Sequence, residues 1–442
     1  MSKTVAKYEK YAEYQDSDVE WLGEIPNNWQ VKKLKYLCKV TTGNKDTVNA
    51  VEDGKYPFFV RSQTVERINS VGADCEAVLT AGDGVGVGKV YHYYKGKFDF
   101  HQRVYMLYDF GAVTGRFVYY YLSSNFYKVA LEGNAKSTVD SLRLPQFLNF
   151  EFSLPTIEEQ DWIVDFLDHE TAKIDSLIAK QEKLIELLKE KRQAVISHAV
   201  TKGLNPDVNM KDSGVEWLGQ VPEHWTVSLI KYQCKEITDG AHISPDLENG
   251  EHFFVSIRDI KEGIINFEDA LLTSDKSYQY LVHTGCKPFV GDILFSKDGT
   301  IGQTAITPSD MDFVVASSLI IIRPKYSKVT SEFLDLLLRS DIVQEQVESF
   351  VKGAALRRLS IQNLLKIWGV FPPIDEQTKI VNFVLSQLDK YKDLEAKAEK
   401  QVELLKERRT ALISSAVTGK IDVRNWQNPN HNNNEANTEL DA

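Results

Sequence analysis

The sequence predicts a duplicated α/β chain, two mixed α/β modules each followed by one long helix. Three observations carry that prediction. First, DSDVEWLGEIPNNWQVKKLKYLCK, starting at Asp16, returns 196 residues later as DSGVEWLGQVPEHWTVSLIKYQCK, with 14 of 24 positions identical. Second, the block at 155–201 returns 217 residues later at 372–418, with 25 of 47 positions identical. Third, these shifts differ by 21 residues, and the material between the blocks has diverged almost completely, apart from fragments such as GDGVGVGKV (Gly82 to Val90) against KDGTIGQTAI (Lys297 to Ile306). Periodic self-similarity of this kind marks a tandem repeat. Two copies with the same ends and different middles suggest a common frame carrying two specificities.

The elements follow in order. Residues 55–60, 76–80, 87–94 and 104–108 have strand composition, as do 253–257, 292–295 and 313–322, with Gly, Asn and Asp between them. One helix per module is expected, at 115–130 and 331–351. The repeated segments are helical: residues 160–200 contain no Pro or Gly and are rich in Leu, Lys, Glu and Ala. Ile174, Leu177, Gln181, Leu184, Leu188, Lys191 and Val195 give a seam of alternating three- and four-residue steps. The second copy repeats it as Tyr391, Leu394, Ala398, Gln401, Leu405, Arg408 and Leu412. Ile178, Ile185, Leu187, Val402 and Leu404 are surplus apolar positions beside the seam, wide enough to meet a further partner. Two such helices, related by a repeat, are expected to pack on each other around a pseudo-twofold axis. Thr156-x-x-Glu159 is a capping box for the first, and Pro372-Pro373 starts the second. The expected divisions are a module at 1–153, helix and linker at 154–210, a module at 211–371, a helix at 372–424 and a disordered Asn-rich tail at 425–442.

Composition narrows the function classes. The 442 residues hold 52 Lys and Arg against 63 Asp and Glu, a formal charge of -11. By segment the charge is +1 for 1–153, -4 for 154–210, -6 for 211–371 and -2 for 372–442. No segment is strongly basic, so nucleic-acid binding must rely on local patches. The four cysteines are far apart without a CxxC pair, which supports neither a disulfide framework nor a thiolate zinc site. The longest apolar stretch is about half a membrane span, and the polar start lacks the apolar core of a signal peptide. A cytoplasmic protein without membrane contact is expected.

Two patches suit DNA. KVYHYYKGKFDFHQRVY, from Lys89 to Tyr105, interleaves Lys89, Lys95, Lys97 and Arg103 with aromatics, His92 and His101, against the single acid Asp99. Phosphate pairing from the cations and edge or stacking contacts from the rest fit a DNA surface; a half-buried hairpin with snorkelling lysines is the alternative. In the second module Lys352, Arg357 and Arg358 lie in VKGAALRRLS, either a DNA-facing loop or a helix end exposing charge. The run Gly82-Asp-Gly-Val-Gly-Val-Gly-Lys89 fails as a P-loop, because no Ser or Thr follows Lys89, and no GxGxxG register opens a helix. It reads as a tight turn beside a strand. The nine histidines have no metal-ligand spacing, and no catalytic constellation emerges.

Together, the repeated EWLGxxPxxW (Glu20 to Trp29; Glu216 to Trp225), PxxEQ at the head of each long helix, and VELLKERRTALISSAVTGKID resemble type I restriction–modification specificity subunits. The resemblance covers nearly the whole chain in order, up to the Asn-rich tail. It implies that each module is a target-recognition domain reading half of a bipartite double-stranded DNA site. It implies that the two helices form an antiparallel spacer docking two methylation subunits, through which restriction subunits join. S-adenosylmethionine, ATP and magnesium would belong to those partners, with no catalytic residue, cofactor or metal on this chain. A protein-binding scaffold with two recognition modules is the rival reading, fitting the acidity but not the resemblance.

Overall fold

The computed structural model describes residues 8–130, 142–248, 250–261, 263–351 and 357–427. Two compact units emerge: Met1–Glu182 together with Glu399–Ala442, and Lys183–Ala398. The long helices are continuous, Ile157–Lys202 and Ile374–Val417. Each unit therefore combines one module with part of both helices, rather than following the sequence divisions at 153 and 371.

In the first unit six strands form one sheet, in the order Lys39–Thr42, Val104–Tyr108, Ala73–Ala81, Tyr91–Phe100, Tyr56–Phe59, Glu66–Ile68. All pairs are antiparallel except Tyr91–Phe100 with Tyr56–Phe59. Strand alternation sends Val78, Tyr91 and Leu107 to a large core shared with Phe117, Tyr121, Phe152, Phe166, Ile413 and Val417. Ala77, Leu79, Phe98 and Met106 line a smaller core on the other face. The helix expected over 115–130 is two pieces, Gly115–Asn125 and Tyr127–Ala130, the first capped by Thr114 Oγ1. Trp426 packs edge-on against Phe166, so ordered chain continues two residues into the segment expected to be disordered.

In the second unit a four-stranded sheet runs Cys234–Asp239, Leu319–Pro324, Ile293–Ser296, Thr304–Ile306, beside a three-stranded one, Leu271–Thr273, His252–Val255, Phe313–Val315. The apolar stretch 313–322, expected as one strand, is two strands in different sheets, because the chain turns at 316–318. The helix expected over 331–351 breaks at Arg339–Ser340 into Ser331–Leu338 and Asp341–Phe350.

The diverged middles share one strand frame. Val78 opposes Leu107, which opposes Val40; likewise Ile293 opposes Ile322, which opposes Ile237. The parallel pairing Phe59–Phe100 recurs as Val255–Val315, and the bridge Lys45–His101 as Ala241–Ala316. A Cβ on Gly43 would sit 2.0 Å from the Phe100 carbonyl oxygen, and one on Gly240 2.1 Å from that of Ala316. Glycine is needed at both crossings for the same reason, close backbone approach.

The PxxEQ motif is a latch. Gln160 accepts from the Thr114 amide at 2.9 Å and donates to the carbonyls of Ala112 and Pro155. Gln377 does the same with the Thr330 amide and the Lys328 and Pro372 carbonyls. Each glutamine ties the start of its long helix to the N-cap of its module's helix. Glu159 completes only half the expected capping box. Its amide donates to Thr156 Oγ1, while its carboxylate accepts from the Tyr11 hydroxyl at 2.7 Å.

The seam takes the other of the two possible heptad registers. Ile174, Ile178, Gln181, Ile185, Leu188 and Arg192 are buried or half-buried, as are their repeat partners Tyr391, Glu395, Ala398, Val402, Leu405 and Arg409. Leu177, Leu184, Leu394, Gln401 and Arg408 of the expected seam are exposed. Cross-helix ion pairs accompany this register. In the first unit Arg409 pairs with Asp175 at 2.8 Å and Lys406 with Glu182 at 3.3 Å, so the helices there run antiparallel. In the second unit Arg192 meets Glu395 at 3.5 Å. Among the described residues no helix is long and apolar enough to cross a membrane, and no group of three or more His, Cys, Asp or Glu could hold a metal ion.

Candidate nucleic-acid interface

The basic stretch from Lys89 to Tyr105 does not form one surface. Tyr91–Phe100 and Val104–Tyr108 are not hairpin partners; both pair with Ala73–Ala81, which lies between them. Lys95 and Lys97 are exposed but lie opposite Glu76 and Asp74 on the neighbouring strand. Alternation sends His92 to the other face, where its ring tilts against Phe59 and Nε2 lies 2.9 Å from the Ser62 carbonyl. His101 is 2 % exposed, with Nδ1 accepting the Arg103 amide, and so is a poor base reader. Burial holds both histidines below the ordinary value of 6.5; at His101 nearby Arg61 and Arg103 add to the effect against Asp46. Lys89 is exposed at the edge of the glycine turn.

Arg103 gains a setting that the sequence did not show. Its Nη1 donates to Asp83 Oδ2 at 2.7 Å, and Arg61 Nη1 donates to Asp83 Oδ1 at 2.7 Å. Both guanidinium groups remain substantially open to solvent. Asp83 opens the glycine turn, whose Gly84 and Gly88 take φ of 77° and 70°, the left-handed region that glycine adopts freely. Burial pushes the Asp83 carboxyl up, but the bonds from both arginines outweigh it and hold it below the carboxylate range. The sequence carries no signal for the Arg61–Asp83–Arg103 cluster, because Arg61 stands 42 residues from Arg103 and Asp83 has the setting of an ordinary turn residue.

In the second module Lys352 lies outside the described residues. Arg357 pairs with Glu348, and Arg358 binds Asp298 through Nε at 2.6 Å and Nη2 at 3.4 Å. The Arg358 side chain is 68 % exposed. The same two residues are also joined by an antiparallel backbone bridge.

The expected partner-binding positions divide. Val402 is 9 % exposed, and Ile178 packs against the first unit's core, so both are seam residues rather than docking groups. Ile185 is half-buried in the same register. Leu187 and Leu404 are open, at 47 % and 44 %, and Leu177, Leu184 and Leu394 join them. Leu184 lies seven residues after Leu177 and three before Leu187, so the three exposed leucines form a chain of same-side neighbours on the first helix, and Leu394 and Leu404 are the repeat equivalents of Leu177 and Leu187.

Comparison with known proteins agrees with this organisation. The family model described as type I restriction modification DNA specificity domain matches twice, at residues 26–187 and 230–404. The EcoDI specificity subunit of Escherichia coli is 25 % identical over 430 residues, covering 92 % of each chain. The MjaVIII specificity subunit of Methanocaldococcus jannaschii is 24 % identical, covering 91 % of this chain and 95 % of its own. A chain solved in work on assembly and conformational transition of the type I restriction–modification system superposes with a TM-score of 0.65. It is 14 % identical and covers 89 % of this chain and 98 % of its own, a likeness of fold. With its duplicated strand frame and two family matches, the chain belongs to the type I restriction modification DNA specificity family.

Proposed function

We propose that this chain is the sequence-reading, non-catalytic subunit of a type I restriction–modification complex, acting in the cytoplasm. Each module reads one half of a bipartite double-stranded DNA target. The outward leucine stripes dock two methylation subunits, through which restriction subunits join, and S-adenosylmethionine, ATP and magnesium act on those partners. The observation that carries this reading is one strand frame presented twice with different surface side chains, beside helices that repeat the same exposed leucines. The first arrangement suits two different half-sites, and the second suits two copies of one partner. Arg103, Lys89 and Arg358 are the favoured DNA contacts. The chain's acidity is compatible with this, since phosphate contacts from the methylation subunits would supply electrostatic affinity.

Methylome sequencing of a host expressing this chain with its methylation subunits tests the proposal. A split motif should appear that is absent when this chain is omitted. Methylation without sequence dependence, or independent of this chain, overturns it.

A further inference from the structure

Register identifies the turn of Asp83-Gly84 with that of Asp298-Gly299. Each follows the strand that opposes Val104–Tyr108 or Leu319–Pro324, and the Gly82 and Lys297 amides donate to the equivalent Arg103 and Ser318 carbonyls. Gly84 and Gly299 both have positive φ, 77° and 65°. At this one place in two otherwise diverged modules, an aspartate holds exposed arginine. The arginines come from different chain segments: Arg61 and Arg103 in the first module, Arg358 in the second. The position of Ser318 shows that the second module lacks an equivalent of Arg103, yet the carboxylate is again engaged by a guanidinium.

Exposed ion pairs add little to stability, so stability is a weak reason for the arrangement to occur in both modules. Orientation is a stronger one. A guanidinium presents five N–H donors in a rigid fork. Asp83 takes only Nη1 of each arginine, and Asp298 takes Nε and one edge of Nη2, so donors outside each pair are directed away from the carboxylate. An arginine fork held in this way matches the O6 and N7 acceptors of guanine in the major groove. In the first module a cleft lined by Val60, Arg61, Asp83, Gly84 and His101 opens beside the pair.

We propose that Asp83 and Asp298 are positioning residues, each fixing an arginine fork that reads a guanine in its own module's half-site. Arg61 joins Arg103 as a first-module DNA contact. This rests on the DNA-reading function proposed above. The aspartates do not touch the base; they act through the arginines.

The test uses the full chain assembled with its methylation subunits, binding a library of randomised double-stranded oligonucleotides. Asp83→Asn should relax a guanine requirement in one half-site by about ten-fold or more, the scale of one lost bidentate contact, and leave the other half unchanged. Asp298→Asn should do the converse. Arg103→Lys and Arg358→Lys should reproduce the respective losses without removing charge, and Asp83→Glu should restore part of the discrimination. Unchanged base preference in folded, assembled variants overturns the proposal, as does a half-site without guanine. If Arg103→Ala and Arg358→Ala weaken binding uniformly across all sequences, with the salt slope reduced by about one each, the arginines are phosphate contacts, which also overturns it. A lowered Tm with unchanged base preference would reduce the pairs to loop ties. If the wild-type complex selects no sequence at all, the function itself fails, which is a separate result from any of these.

Discussion

His101 and His92 illustrate why a residue type in a basic stretch does not make a contact. Both sit on or beside strands whose alternate faces are buried, and burial favours the neutral ring. The linkage has a definite sign. Their native pKa values lie below 6.5, so above pH 6.5 neither form of the protein binds the proton and stability is undiminished. As pH falls through 6.5 the unfolded chain takes up protons that the native one resists, and stability declines. The wild-type Tm should therefore drop between pH 7.5 and 5.5 by more than that of a His92→Gln, His101→Gln variant. Equal drops in the two proteins would mean that neither ring is held neutral. Arg103, two residues from His101, is the opposite case, exposed and aimed by Asp83.

The long helices show how far periodicity reaches at the scale of an element. Alternating steps of three and four allow two heptad registers through Ile174, one by Leu177 and the other by Ile178. Composition favoured Leu177 and Leu184, but the packed register is that of Ile178 and Ile185, and it accommodates Arg192, Glu395 and Arg409 through cross-helix ion pairs. The leucines left outside are the better candidates for a partner. Leu187→Asp with Leu404→Asp should leave the fold intact, since both side chains are exposed. The same pair should abolish co-purification of the methylation subunit, because an unpaired buried carboxylate costs several kcal/mol. Stoichiometric co-purification would show that the stripe faces water. Ile178→Asp is the contrasting control: it should lower Tm, since Ile178 packs against the core.

For the whole molecule, two modules on one frame imply separable reading. Gly43 and Gly240 mark where the frame crosses itself, and the latches at Gln160 and Gln377 mark where each module is tied to its long helix. Exchanging Lys45 to Asn149 for the corresponding segment of a relative replaces Phe100, Ala112 and Thr114, but these meet Gly43 and Gln160 through backbone groups alone, which the relative's segment supplies whatever its side chains. Such a chimaera should acquire one new half-site in the methylome and keep the other. Altered bases in both halves would mean that the modules do not read independently.

The duplication, the long helices and the α/β class were legible because they rest on identity and on local periodicity, which neighbouring residues decide among themselves. The PxxEQ motif was legible as a marker, although its work, satisfying a distant N-cap, was not. The shared frame beneath the diverged middles was invisible because strand pairing constrains hydrogen-bonded backbone and alternation, leaving side-chain identity nearly unconstrained; only a glycine at each crossing and an Asp-Gly turn survive as traces. The Asp83 pairing was hidden for a related reason: Arg61, Asp83 and Arg103 come together only when non-consecutive strands become neighbours. Which leucines face outward was likewise settled only when Ile174, Ile178, Ala398 and Val402 were buried or half-buried, a matter of packing that local periodicity leaves open.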